Sequence, residues 1–170
     1  MTNRRKSISN LGQFFLTITL LVIPASFYAT ALPQSAPNIA VNGSVSGDGV
    51  RRGRSAQAVV VMEIPAGYHV NSNRPLEKFL IPTQLQIEAP PGVKVSAVSY
   101  PRALLRRLKF SKNQVAVFEG RTTMRFNVTV PAGFGSDSTE LKARLRYQSC
   151  NDEFCFPPAT REIRIPIRVR

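Results

Sequence analysis

The chain has 170 residues, 13 prolines, 10 glycines, two cysteines, one histidine and a net charge of +13. That length allows one domain of ordinary size with its own core. Two cysteines and a single histidine fall short of the four ligands that a structural zinc site needs, so neither a metal nor another cofactor is expected.

In chain order, Arg4, Arg5 and Lys6 give a positive start with no acidic residue near it. The apolar run Leu11 to Ile23 follows, then Ala29-Thr30-Ala31, a small-x-small cleavage pattern. Together these read as a secretory signal peptide over residues 1–31, with the mature chain starting near Leu32. The apolar run is short for a membrane span, which takes about 20 residues; an uncleaved anchor is the alternative. Export places the cysteines in an oxidising compartment, and the expected location is a bacterial periplasm. It also argues against nucleic acid as a partner, as does the lack of aromatics interleaved with the basic residues. A solvated basic face accounts for the charge; weak attraction to anionic headgroups or acidic partners is the sharper reading.

Residues 32–55 are rich in Pro, Ser, Gly and Asn and read as a linker or loosely ordered lead-in; the domain body is expected over 56–170. Ala56 to Ile64 is β-branched and apolar and stops at Pro65-Ala66-Gly67. Thr83 to Ala89 alternates, Pro90-Pro91-Gly92 turns the chain, and Val93 to Tyr100 is a further strand candidate. Ala103 to Lys109 is the one helix candidate, and Val115 to Phe118 is a short apolar strand. Alternation is clearest in Thr123 to Val130, in Glu140 to Gln148, and in the final strand with Ile163, Ile165, Ile167 and Val169 on one side. Period-two patterning means one buried face and one wet face. Pro166 has no amide donor, so the last strand belongs at an edge. Many strands parted by Pro/Gly turns predict an all-β, antiparallel β-sandwich.

Cys150 and Cys155 fall between the last two strands, within Tyr147-Gln148-Ser149-Cys150-Asn151-Asp152-Glu153-Phe154-Cys155-Phe156-Pro157-Pro158. A six-residue ring restrains little of the unfolded chain and contributes only about 2 kcal/mol by chain entropy. Spacing alone leaves two readings open: a redox pair, or a short structural disulfide in a non-catalytic exported binding module. Asp152 and Glu153 disfavour a thiolate, while Arg146 and the positive field favour one. Phe154 and Phe156 flank Cys155 and serve either as cover for the sulfur or as core. His69 titrates near neutral pH and would accept a proton if it lay beside Cys155; a lone strand histidine is more often partly buried structure.

The cysteine segment, with Tyr-Gln ahead of the first cysteine and Pro-Pro after the second, resembles the redox segment of the N-terminal periplasmic domain of the thiol:disulfide interchange protein DsbD. Gly67-Tyr68-His69-Val70-Asn71-Ser72-Asn73 and Phe118-Glu119-Gly120, followed by Thr123 to Pro131, resemble two further pieces of that domain in order and spacing. The resemblance covers about residues 56–170. It implies an immunoglobulin-like sandwich and, as activity, disulfide reduction by thiol–disulfide exchange through a mixed disulfide. It implies thioredoxin-like periplasmic proteins and a membrane electron transporter as partners, here supplied by other chains. Carried over, Cys155 attacks the partner's disulfide, Cys150 resolves the mixed disulfide, Phe118 sits on a cap loop over the pair, and Tyr68 lines the same site.

Overall fold

The structure is a computed structural model and describes residues 35–170, so the signal segment expected at 1–31 lies outside the described residues. Eleven strands form three sheets, with every strand-to-strand pairing antiparallel. The first sheet joins β1 (Ala40–Val45), β2 (Ser55–Glu63), β8 (Arg121–Thr129) and β5 (Lys94–Val95), in that order. The second runs β11 (Ala159–Arg168), β9 (Ser138–Tyr147), β4 (Gln84–Glu88). The third runs β10 (Ser149–Cys150), β3 (His69–Asn71), β7 (Gln114–Phe118), β6 (Leu104–Arg107).

The first two sheets close on one another through the apolar side of their alternating strands. Ala58, Val60 and Met62 of β2 and Met124, Phe126 and Val128 of β8 share a core with Leu141, Ala143, Leu145 and Tyr147 of β9 and with Ile165 and Ile167 of β11. This is the two-layer sandwich that the alternation predicts, in the immunoglobulin-like form that the resemblance implies. Pro166 lies in β11, the edge strand of its sheet, where a missing amide donor is tolerated. Arginines on the wet faces of β9 and β11 pair with acids across the two strands, Arg144 with Glu162 at 3.1 Å and Arg164 with Glu140 at 3.3 Å.

Three segments depart from the sequence expectation. The stretch 32–55, expected as a lead-in, contributes β1, which pairs with β2 along its whole length. Ile39 and Val50 on either side of β1 are 1% exposed in the main core, so these residues belong to the domain. Gly43 in β1 is there for close approach. A Cβ at that position would stand 2.6 Å from Cγ1 of Ile165, so only glycine lets β1 lie against β11. The helix expected over Ala103 to Lys109 is instead the edge strand β6, paired with β7 from Leu104↔Val117 to Arg107↔Gln114. Seven residues are too few to hold a helix alone, and the open edge of β7 offers backbone partners that a helix would forgo. The candidate strand Val93 to Tyr100 is reduced to β5 and one isolated bridge, Ser99↔Arg125.

Candidate functional site

The third sheet positions the cysteines. Its strands are short, and their side chains alternate between the sandwich core and the opposite face. Val70 and Phe118 are register partners and both enter the main core. The residues next to them in sequence, His69, Asn71 and Val117, therefore face the other way. On that side Val115 and Val117 pack with Leu80 and Leu108 in a second small cluster, and Phe110 and Cys155 pack against it.

Cys150 ends β10, and its register partner across β3 is His69. Cys150 and Cys155 are disulfide-bonded at 2.06 Å. The two sulfurs differ in access: Cys150 is fully buried, whereas Cys155 is half-buried. The intervening turn is held by Asn151, whose side-chain Oδ1 accepts from the amides of Glu153 and Phe154, both at 2.9 Å. Asparagine favours such a turn because its carbonyl mimics the backbone. The Phe156 amide then donates to the Ser149 carbonyl at 2.8 Å and closes the ring.

Gln148 ties the ring to its surroundings. Its Oε1 accepts from Asn71 Nδ2 at 3.1 Å and from the Ile81 amide at 3.2 Å, and its Nε2 donates to the Phe156 carbonyl at 3.1 Å. The segment carrying Leu108 and Phe110 is tied on as well: the Lys109 amide donates to the Asp152 carbonyl at 3.1 Å, and Lys109 Nζ reaches Glu153 at 3.3 Å.

The expected site residues are distributed as follows. Phe156 is buried, 5.0 Å from the half-open Phe154 in an edge-to-face pair and 6.1 Å from Tyr68. Tyr68 lines a cleft beside the ring together with His69, Glu119 and Asp152. Phe118, expected on a loop over the pair, is the last residue of β7 and lies in the sandwich core, stacked on Tyr100 at 6.5 Å. Alternation sends it to the face opposite Val115 and Val117. The aromatic on the cysteine side is Phe110, which the sequence reading missed. It lies just beyond β6, in a stretch with no alternation to show which way it points.

Charges gather at the rim. Arg106 donates to Glu119 with two bonds, 2.7 and 2.8 Å, and this holds the Glu119 carboxyl below the usual carboxylate range. The single histidine is 3% exposed, and its ring stacks on Phe110 at 6.4 Å. Burial pulls its pKa below the ordinary value, against the opposing influence of Glu119 and Asp152. Its Nε2 is buried without a hydrogen-bond partner among the described residues. No cluster of metal-ligating groups occurs among the described residues.

No curated protein sequence matches the chain. Among solved structures, the reduced N-terminal domain of DsbD from Neisseria meningitidis aligns at 16% identity and TM-score 0.48, over 75% of this chain and 85% of that one. The N-terminal periplasmic domain of ScsB from Proteus mirabilis aligns at 9% identity and TM-score 0.48, over 76% of this chain and 45% of that one. The family described as thiol:disulfide interchange protein DsbD, N-terminal, matches residues 45–166, which take in β2 to β10, most of β11 and both cysteines. With that match over most of its length and a disulfide at the family's redox segment, the chain belongs to the DsbD N-terminal family of thiol–disulfide exchange domains.

Proposed function

We propose that this chain is an exported, periplasmic domain that relays reducing equivalents to partner oxidoreductases through Cys150 and Cys155. The observation that carries this reading is the unequal access of the two sulfurs. Cys155 is half-buried and within reach of a partner, while Cys150 is fully buried and placed to close the ring afterwards. Cys155 thus attacks the partner's disulfide, and Cys150 resolves the mixed disulfide. The relevant partners are thioredoxin-like periplasmic proteins, with a membrane electron transporter as the ultimate source.

The surface supports a protein partner. The large apolar side chains exposed among the described residues are Leu76, Phe79, Leu104, Leu105 and Phe154. All lie on segments that frame the cysteine cluster: the loop that carries Leu80, strand β6 and the cysteine ring. Apolar residues so concentrated mark a docking rim. Phe110, which like Cys155 packs against the second apolar cluster, is the cover that limits casual exchange with small thiols.

Trapping tests the relay. A Cys150→Ala variant expressed in the periplasm should accumulate a mixed disulfide through Cys155. The reduction potential of the pair should fall within about −270 to −180 mV, the range of thioredoxin and disulfide isomerases. No crosslinked partner and a potential below about −300 mV would reduce the pair to a structural disulfide.

A further inference from the structure

We propose that His69 is the proton acceptor for Cys150 when that sulfur resolves the mixed disulfide, an assignment that rests on the exchange reading above. The argument begins with register. Cys150 and His69 are directly opposed in the β10–β3 ladder. Opposed residues project to the same face of a sheet, with Cβ atoms about 4.5–5.5 Å apart. An imidazole and a thiol fit that gap.

The second observation is an orphan atom, one of two among the described residues, the other being Oδ1 of Asn71. Nε2 of His69 is buried without a partner while the cysteines are bonded to one another. Buried polar atoms are nearly always satisfied, so this one calls for a cause. A disulfide has no proton to give. Reduction creates one donor at the opposed position, the Cys150 S–H. The nitrogen is thus unpartnered in the oxidised form and gains its partner only when the pair carries electrons.

Third, Cys150 needs such a group. It is fully buried, and burial in apolar surroundings disfavours a thiolate. The charged groups facing His69 are Glu119 after β7, Arg106 on β6 and Asp152 in the cysteine ring, while Phe110 stacks on its ring. Glu119 is already engaged by two bonds from Arg106. Asp152 is exposed on the turn, which leaves the imidazole as the buried base on the face of Cys150. Burial lowers its pKa, so at neutral pH it is uncharged and able to accept.

The step balances. With Cys155 bonded to a partner sulfur, the Cys150 thiol gives its proton to Nε2 of His69. The resulting thiolate attacks Sγ of Cys155, the Cys150–Cys155 bond forms, and the Cys155–partner bond breaks. The partner sulfur leaves as a thiolate and takes up a proton from the imidazolium or from water. Over the full exchange the partner disulfide gains two electrons and this dithiol loses two.

The test needs no protein partner. The reduced protein is mixed with dithiobis-nitrobenzoate in stopped flow. The first equivalent of released thiolate reports capture by Cys155, and the second reports resolution by Cys150. In both His69→Phe and His69→Gln the second phase should slow by roughly 10² or more, the lower range of general-base effects, and lose its fall with acid below the ordinary histidine value of 6.5; the first phase should keep its rate. Unchanged rates and pH profiles of the second phase in both variants would overturn the proposal. Should either variant fold poorly, wild-type protein still decides the matter, because the chain has a single histidine. Its imidazole proton resonance should titrate at a different pH in the reduced and oxidised forms; identical titrations would overturn the assignment. A failed partner trap with an intact His69 effect would count against the relay alone.

Discussion

Gln148 shows how one side chain organises a site that has little secondary structure of its own. Its amide joins β3, the loop at Ile81 and the carbonyl of Phe156, so three chain segments meet on one residue. A carboxylate could not donate to that carbonyl, and an alanine would leave all three partners open. His69 is the costlier neighbour. Because its pKa is lowered by burial, the unfolded chain takes up a proton that the folded chain refuses. Its effect on stability is therefore constant above the ordinary value of 6.5 and turns unfavourable as pH falls from there through the folded value. Glu119, also lowered, adds a second loss that begins only near its ordinary 4.5. Denaturant titrations at a series of pH values should show stability falling below about pH 6.5 in the wild type. His69→Phe should abolish that first decline and keep the second; a parallel decline in the variant would mean that other groups set it.

At the scale of the element, β7 separates the sandwich core from the small cluster on the cysteine side. Its alternation puts Phe118 into the sandwich with Tyr100 and leaves Val115 and Val117 on the cysteine side, where Phe110 completes the cluster. The two phenylalanines should fail differently. Phe110→Ala should speed reduction of the disulfide by a small thiol at little cost in global stability. Phe118→Ala should cost about 3–5 kcal/mol, the usual loss for a core aromatic, without opening the pair selectively. Paired reduction kinetics and denaturant melts check both. The interchange of these two roles was not legible from the sequence. Phe118 precedes Glu119-Gly120 in a stretch that resembles the family, while Phe110 lies among Leu108, Lys109 and Ser111 with no regular spacing. Which of them faces the sulfurs depends on the face that β7 turns toward the core, and that is set by Val70 across the sheet.

For the whole molecule, the separation of layers keeps redox chemistry away from the fold. The sandwich core is built by the first two sheets with Val70 and Phe118 from the inner face of the third, and the cysteines sit on that sheet's outer face. The sulfur ring spans a sequence separation of 5, so the bond adds only about 2 kcal/mol by chain entropy. Thermal melts with and without reductant should show cooperative unfolding in both cases, with a modest drop in midpoint on reduction. Loss of the cooperative transition would make the disulfide a structural requirement. The relay proposed above requires a domain that survives both oxidation states, and a small ring on a peripheral sheet meets that need.

The alternation of the long strands, the Pro/Gly turns between them, the close-set cysteines and their Tyr-Gln and Pro-Pro flanks are local in sequence, and they were enough to determine an antiparallel sandwich with a DsbD-like sulfur pair. Period-two patterning needs no partner to be read, because every strand that buries one face must show it. The tertiary structure alone decided the strand at Ala40–Val45, the strand in place of a helix at Leu104–Arg107, and the pairing of His69 with Cys150. Two depend on a neighbour far along the chain, β11 for the packing around Gly43 and β3 for the register of β10, and the third on the open edge that β7 offers to β6. Short strands carry too few side chains to specify their own pairing, so the site they build is set by the sheet that receives them.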